Sequence, residues 1–225
     1  GPGSVTSDES QTCVFCHTPH AATVSPGAPL WNRQLSGQTY TTYMSSSLDA
    51  ETIAGQLAQP GGSSRLCLSC HDGSLAIGTV NVSGGQQNIT FNMTGTGAGG
   101  EMPAGAGTQT GYTRNLGTDL TNDHPISLTF DTSLAIRDGE LRDPTNSPEI
   151  GLRSPGVRPM FPLEPTGPAN EAQMQCASCH DPHLPDTGGE PRKFLRGNRL
   201  QQVDPVGEFD ADNDIVCLGC HDKEG

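Results

Sequence analysis

Every cysteine in the chain belongs to one of four copies of a single pentapeptide: Cys13-Val14-Phe15-Cys16-His17, Cys67-Leu68-Ser69-Cys70-His71, Cys176-Ala177-Ser178-Cys179-His180 and Cys217-Leu218-Gly219-Cys220-His221. Two thiols three residues apart, with a histidine directly after the second, form the attachment signature of haem c. The thiols add across two vinyl groups of a porphyrin, and the adjacent imidazole is then held against the iron. The spacing therefore predicts four covalently bound haem c groups, carried on Cys13, Cys16, Cys67, Cys70, Cys176, Cys179, Cys217 and Cys220. Their proximal iron ligands would be His17, His71, His180 and His221. Two other chemistries use paired cysteines. A zinc site of four thiolates has no need of a histidine after each second cysteine, and a disulfide framework has less.

Three of the seven histidines remain, His20, His124 and His183, and they are candidate distal ligands. His20 and His183 hold the same place after the first and third motifs, in Thr18-Pro19-His20 and Asp181-Pro182-His183; the third lies in Asn122-Asp123-His124-Pro125. On a continuing helical turn, residues three apart project from one face. His17 and His20 would then meet the first haem from the same side, so His20 must reach another iron. The repeat assigns His20 to the second haem and His183 to the fourth, or to a neighbouring subunit in an oligomer, and leaves His124 for the first or third. One iron lacks an eighth histidine. Its donor would be a methionine (Met44, Met93, Met102, Met160 or Met174), another group, or none. Methionine raises a haem's potential, whereas an open position admits small molecules.

The motifs must be positioned by elements around them, and they come in two pairs. The second member of each pair reads Cys-Leu-x-Cys-His-Asp, at 67–72 and 217–222. Repetition of the motif with its trailing residues marks a diverged internal repeat. Residues 1–7 read as a tail whose opening Gly1-Pro2-Gly3-Ser4 looks like a cleaved tag. Residues 8–75 read as the first dihaem repeat, 76–169 as a Gly/Pro-rich linker carrying His124, and 170–225 as the second repeat. Helical turns are expected before the motifs at 64–71, 171–180 and 212–221. A capped helix is expected over 46–57, a small hairpin around Ile89, Phe91 and Met93, loop at 94–111, and an extended strap over 142–170 with its seven prolines. Asn81, Asn88 and Asn92 start Asn-x-Ser/Thr triplets, which in so polar a stretch read as coincidence. Asp210, Asp212 and Asp214 alternate like a calcium loop but lack its glycine and closing glutamate, and read as solvated charge.

Composition presses in one direction. Hydrophobic residues make up 32% and aromatics 4%, with 29 glycines, 18 prolines and a formal charge of −13. Such a chain ordinarily buries too little apolar surface to fold. Four flat apolar macrocycles would supply the missing core. The fold class expected is thus mostly irregular coil with short α-helices and little β, a multihaem cytochrome c wrapped around a stacked haem chain and disordered without haem. Haem propionates would make the surface more acidic still, which argues against nucleic acid and anionic lipid as partners and favours cationic proteins, metal ions or positively charged minerals. No stretch of about 18 apolar residues is present, so no membrane span is expected. Haem c is attached outside the cytoplasm, which implies a signal peptide already removed.

With its doubled motifs, the Cys-Val-Phe-Cys-His-Thr-Pro-His opening and the Asp-His-Pro at 123–125, the chain resembles the multihaem c-type cytochromes. Within them it is similar to the extracellular tetrahaem cytochromes that polymerise into nanowire filaments. The resemblance implies closely stacked, mostly bis-histidine haems, an extracellular or cell-surface location, redox partner proteins or extracellular acceptors, and self-association. Electron transfer by hopping along haems is expected and no enzymatic activity, since no further histidine and only two lysines, Lys193 and Lys223, are present to supply a proton-donating pocket; the alternatives are a periplasmic electron carrier, or an enzyme reducing a small molecule at one five-coordinate haem. A module in which haems serve only as scaffold would leave four redox centres idle.

Overall fold

The computed structural model of the chain describes residues 5–24, 28–52, 55–104, 115–184, 194–197 and 215–222. Gly1-Pro2-Gly3-Ser4, part of the 94–111 loop, and Asp210, Asp212 and Asp214 lie outside the described residues. The chain divides into two compact units, one of residues 1–41 and 65–123, the other of residues 42–64 and 124–225. The segment 76–169 is shared between them, and each unit contains two of the four motifs.

In the first unit, β1 (Thr6–Ser7) pairs antiparallel with β4 (Met93–Thr94), and β2 (Thr79–Ser83) forms a hairpin with β3 (Gln86–Thr90). Gly84 and Gly85 form the hairpin turn, both at positive φ (56° and 79°), where a side chain would be strained. Phe91 and Met93, expected in that hairpin, follow it; Phe91 stacks edge-on against Phe15 of the first motif at 5.2 Å. The interior is polar as well as apolar. Trp31, Tyr40, Leu66, Leu68, Ile77, Val80 and Leu120 are buried together with Asn32, Arg33 and Asp72. Arg33 fastens the 76–79 turn by donating from Nη1 to the Ile77 and Thr79 carbonyls and from Nη2 to Ala76, at 2.7–3.0 Å.

Helix α1 (Gly62–His71) carries the chain from the second unit into the first. In the second unit a four-stranded sheet runs in the order β5 (Leu128–Thr129), β8 (Ala172–Met174), β7 (Phe161–Pro165), β6 (Ile150–Leu152). Three of its four strands come from outside the expected second repeat. Helix α2 (Thr132–Asp138) starts on the Asp131 carboxylate, which accepts from the Leu134 amide at 2.8 Å, and ends on Gly139 at φ 76°. Helices α3 (Cys176–Cys179) and α4 (Ile215–Leu218) are single turns, the first inside the third motif and the second leading into the fourth. Ala50, Leu57, Leu128, Phe130, Leu134, Ile150, Phe161, Leu163 and Met174 close over this sheet as one apolar cluster. Beneath it Gln175, 1% exposed, is fully engaged: Ser127 Oγ donates to its Oε1, and its Nε2 donates to Thr166 and Gln173.

The expected fold class is overturned. The described residues hold three small sheets and four α-helices, and the second unit has a side-chain core, so the chain is not a coil waiting for haem to fill it. Nor do the described residues gather any group of three or more His, Cys, Asp or Glu able to hold a metal ion. The physical reason is concentration: Leu128, Phe130, Leu134, Ile150, Phe161 and Leu163 gather in one cluster, and serine, threonine and glutamine side chains satisfy polar groups buried beside it. The helix expected over 46–57 is absent from the described residues there. Gly55 turns back at φ 81°, and Leu57 instead enters the core while its carbonyl accepts from the Thr42 hydroxyl. No described helix is long and apolar enough to cross a membrane.

Candidate functional site

Each unit gathers two motifs. In the first, the Cys16 thiol is pushed up by burial and by the neighbouring Cys70, and Cys70 is pushed up by burial. In the second, burial first and then Cys176 and Cys217 push the Cys179 thiol up to about 11. Burial, then Cys179 and Cys217, pushes Cys220 up to about 12. These are protonated thiols without a disulfide. They are the opposite of the lowered-pKa thiolates used by cysteine nucleophiles. Cys13 is exposed, Cys220 is buried, and Cys67, Cys176 and Cys217 lie between.

Three of the motif loops are held by one device. Around His17, the Thr18 amide donates to Leu30, the Asn32 amide donates to the Cys16 carbonyl, and Asn32 Nδ2 donates to the carbonyl of Val14 inside the loop. Around His180, the Asp181 amide donates to Phe194, the Arg196 amide to Cys179, and Arg196 Nε to Ala177. Around His221, the Asp222 amide donates to Glu140, the Arg142 amide to Cys220, and Arg142 Nε to Leu218. The bridging residues are Trp31, Leu195 and Leu141, each antiparallel to its histidine. In the second unit the arginines also reach the aspartate after the histidine, Arg196 to Asp181 at 3.0 Å and Arg142 to Asp222 at 3.3 Å. Burial alone would raise the Asp181 carboxyl, but the His183 amide and the Arg196 charge hold it below its ordinary value. The second motif differs. It ends α1, with the Asp72 amide donating to Leu68 and the Leu116 amide to His71. Its Asp72 carboxylate accepts from the Tyr40 hydroxyl at 2.7 Å and from Ser74.

The histidines are placed unequally. His17 puts Nδ1 2.9 Å from the Pro29 carbonyl, and His124 puts Nδ1 2.9 Å from the Pro125 carbonyl. A ring nitrogen facing a carbonyl carries the proton, so the lone pair is on Nε2, which is the tautomer of a metal-bound imidazole held by an outer hydrogen bond. His124 also lies beside His221, ring centroids 6.5 Å apart and planes crossed at 78°. An imidazole nitrogen bonds a transition metal at about 2 Å, so two rings on opposite sides of one iron stand with centroids about 6 Å apart. The centroid separation matches that spacing, and the contact between the two rings is edge-on. His20 and His183 are both exposed, and His183 Nδ1 faces Asp181 at 3.1 Å. His71 is half-buried and His180 exposed. Of the methionines, Met174 belongs to the core, while Met44 and Met160 are exposed. Met93 and Met102 are half-buried.

The sequence pointed to the cysteines and histidines, but not to Asn32, Arg142 and Arg196. The single available signal was the aspartate repeated after His71, His180 and His221. No protein-family model matches the chain, and no curated protein does.

Proposed function

We propose that this chain is a tetrahaem c-type cytochrome that transfers electrons outside the cytoplasm, with a haem pair in each unit. The carrying observation is that all eight cysteines fall into four Cys-x-x-Cys-His motifs; the closeness of the His124 and His221 rings, 6.5 Å between centroids, supports it. When bound, haem supplies a one-electron iron couple whose potential follows from its axial donors and exposure. The chain's own residues do the rest. Eight thiols fix four macrocycles in place, and His17 and His124, with Nδ1 held by carbonyls, offer Nε2 in a set direction.

A zinc site of four thiolates would leave the histidine after each second cysteine without a role. For partners, an acidic chain of this charge suits cationic donors or mineral surfaces. The test is intact mass and visible absorption of protein from a host that attaches haem c. Four haems and a Soret band with low-spin features are expected; bare thiols and no Soret band would overturn the reading. Negative-stain images separate uniform filaments from a monomeric carrier. Rapid carbon monoxide binding by wild type would favour a reductase instead.

A further inference from the structure

We propose that Arg196 and Arg142 are positioning residues, each guanidinium locking a Cys-x-x-Cys-His loop from its inner carbonyl to the aspartate that follows the histidine. The proposal rests on the haem reading above and adds residues to it that carry no part of the attachment signature.

The contact register is identical in all three clasped motifs. The residue beside the bridge donates its amide to the carbonyl of the second cysteine and its side chain to the carbonyl just after the first. Yet the clasping segments arrive from opposite directions along the chain. Trp31 lies fourteen residues after His17 and Leu195 fifteen after His180, whereas Leu141 lies eighty before His221. Local chain geometry therefore does not dictate the contact; the loop is what the three cases share. The clasp also appears where a loop cannot hold itself. The first, third and fourth motifs sit on helical turns of four residues, too short to be stable alone, and the second ends the ten-residue α1 and has no clasp.

In the second unit arginine replaces the asparagine of the first and adds the aspartate contact, so one planar fork spans the loop end to end. With the backbone pinned on both sides of His180 and His221, each imidazole leaves the loop in one direction. Arg196 is the tighter case, its side chain 14% exposed against 34% for Arg142, with the shorter aspartate contact. The two clasps should therefore differ in strength.

The experiment compares the full haem-loaded chain with Arg196→Ala, Arg196→Asn, Arg142→Ala and Arg142→Asn, measuring haems per chain by intact mass and the low-spin signals by electron paramagnetic resonance. Arg196→Ala is expected to lose one haem, or to keep four with roughly a quarter of the low-spin intensity displaced or turned high-spin. Arg142→Ala should show the same change to a smaller degree. The asparagine variants should recover most of the wild-type signal, because asparagine is what the chain uses at the same place in the first motif. Spectra and haem count unchanged in Arg196→Ala would overturn the proposal. So would an asparagine variant in which all four haem signals fall together, since that marks a general stability contact. A wild-type chain with bare thiols brings down the haem reading itself, whereas a loaded wild type with an unmoved Arg196→Ala brings down the clasp alone.

Discussion

His124 and His221 meet edge-on, with ring centroids 6.5 Å apart and planes crossed at 78°, although they lie ninety-seven residues apart and only one of them belongs to an attachment motif. The ring of His124 is held by its own neighbour, Nδ1 donating to the Pro125 carbonyl, so Asn-Asp-His-Pro is a rigid presentation of Nε2. Repeat symmetry directs His183 to the fourth haem, whereas the ring beside His221 is that of His124. His124→Ala should keep all four haems attached but convert one iron, roughly a quarter of the low-spin signal, to a form that binds carbon monoxide when reduced. If His183→Ala opens a haem and His124→Ala opens none, the pairing is wrong.

Phe161 and Gly219 make the second prediction. The Phe161 ring is wholly buried and lies flush against the fourth motif, so that a Cβ on Gly219 would overlap it. The ring cannot move aside, being packed in the centre of the apolar cluster. Phe161→Ala should lower stability by about 3–5 kcal/mol, the usual cost of emptying a buried aromatic site. Gly219→Ala should act in the same direction through overpacking, by about 1–3 kcal/mol. Denaturant titration with hydrogen exchange on peptides from 124–184 measures both; protection unchanged there in Phe161→Ala would show that the cluster does not depend on the ring.

Legibility followed the range of the interactions. The helical turns at the motifs were partly legible because tandem cysteines and histidine fix their own local geometry: α1 spans 62–71 where 64–71 was expected, α3 fills only 176–179 of the expected 171–180, where 172–174 is strand β8, and α4 is 215–218, with 212–214 outside the described residues. The sheet was not legible. Its strands are two to five residues long, and Pro162 and Pro165 sit in β7, where sequence rules discourage a strand with neighbours on both sides. β7 tolerates Pro162 because the ladder to β6 uses the Phe161 amide, which donates to Glu149. The arginine clasps were hidden for a related reason. Arg142 is seventy-nine residues from His221, and a lone surface-type arginine carries no local pattern.

The thiols give a third prediction, for chain produced without haem. Burial holds Cys220 at about 12 and Cys179 at about 11, so both stay protonated and shielded at neutral pH, while Cys13 is exposed. Alkylation followed by peptide mapping should label Cys13 first and Cys220 last, with urea abolishing the difference. Uniform labelling before urea is added would mean that the packing around Cys220 does not form in the haem-free chain, as the composition alone suggests.

A fourth prediction concerns alkaline pH and the first unit. Tyr40 is 5% exposed and donates to the Asp72 carboxylate at 2.7 Å. Burial above all, opposed by Ser36 and reinforced by Asp72, pushes its hydroxyl from 10 up to about 12. A group that holds its proton more tightly when folded stabilises the fold fully below its unfolded value and loses that contribution as pH rises through the folded one. Stability owed to Tyr40 is therefore intact below pH 10 and gone above about 12. Tyr40→Phe should be less stable than wild type at neutral pH, because Asp72 loses a donor, and the gap should close across that alkaline window. Melting temperatures of both proteins at intervals from pH 8 to 12 measure it, and a gap that stays constant to the top of the range would show that Tyr40 does not titrate as a buried, carboxylate-bound phenol.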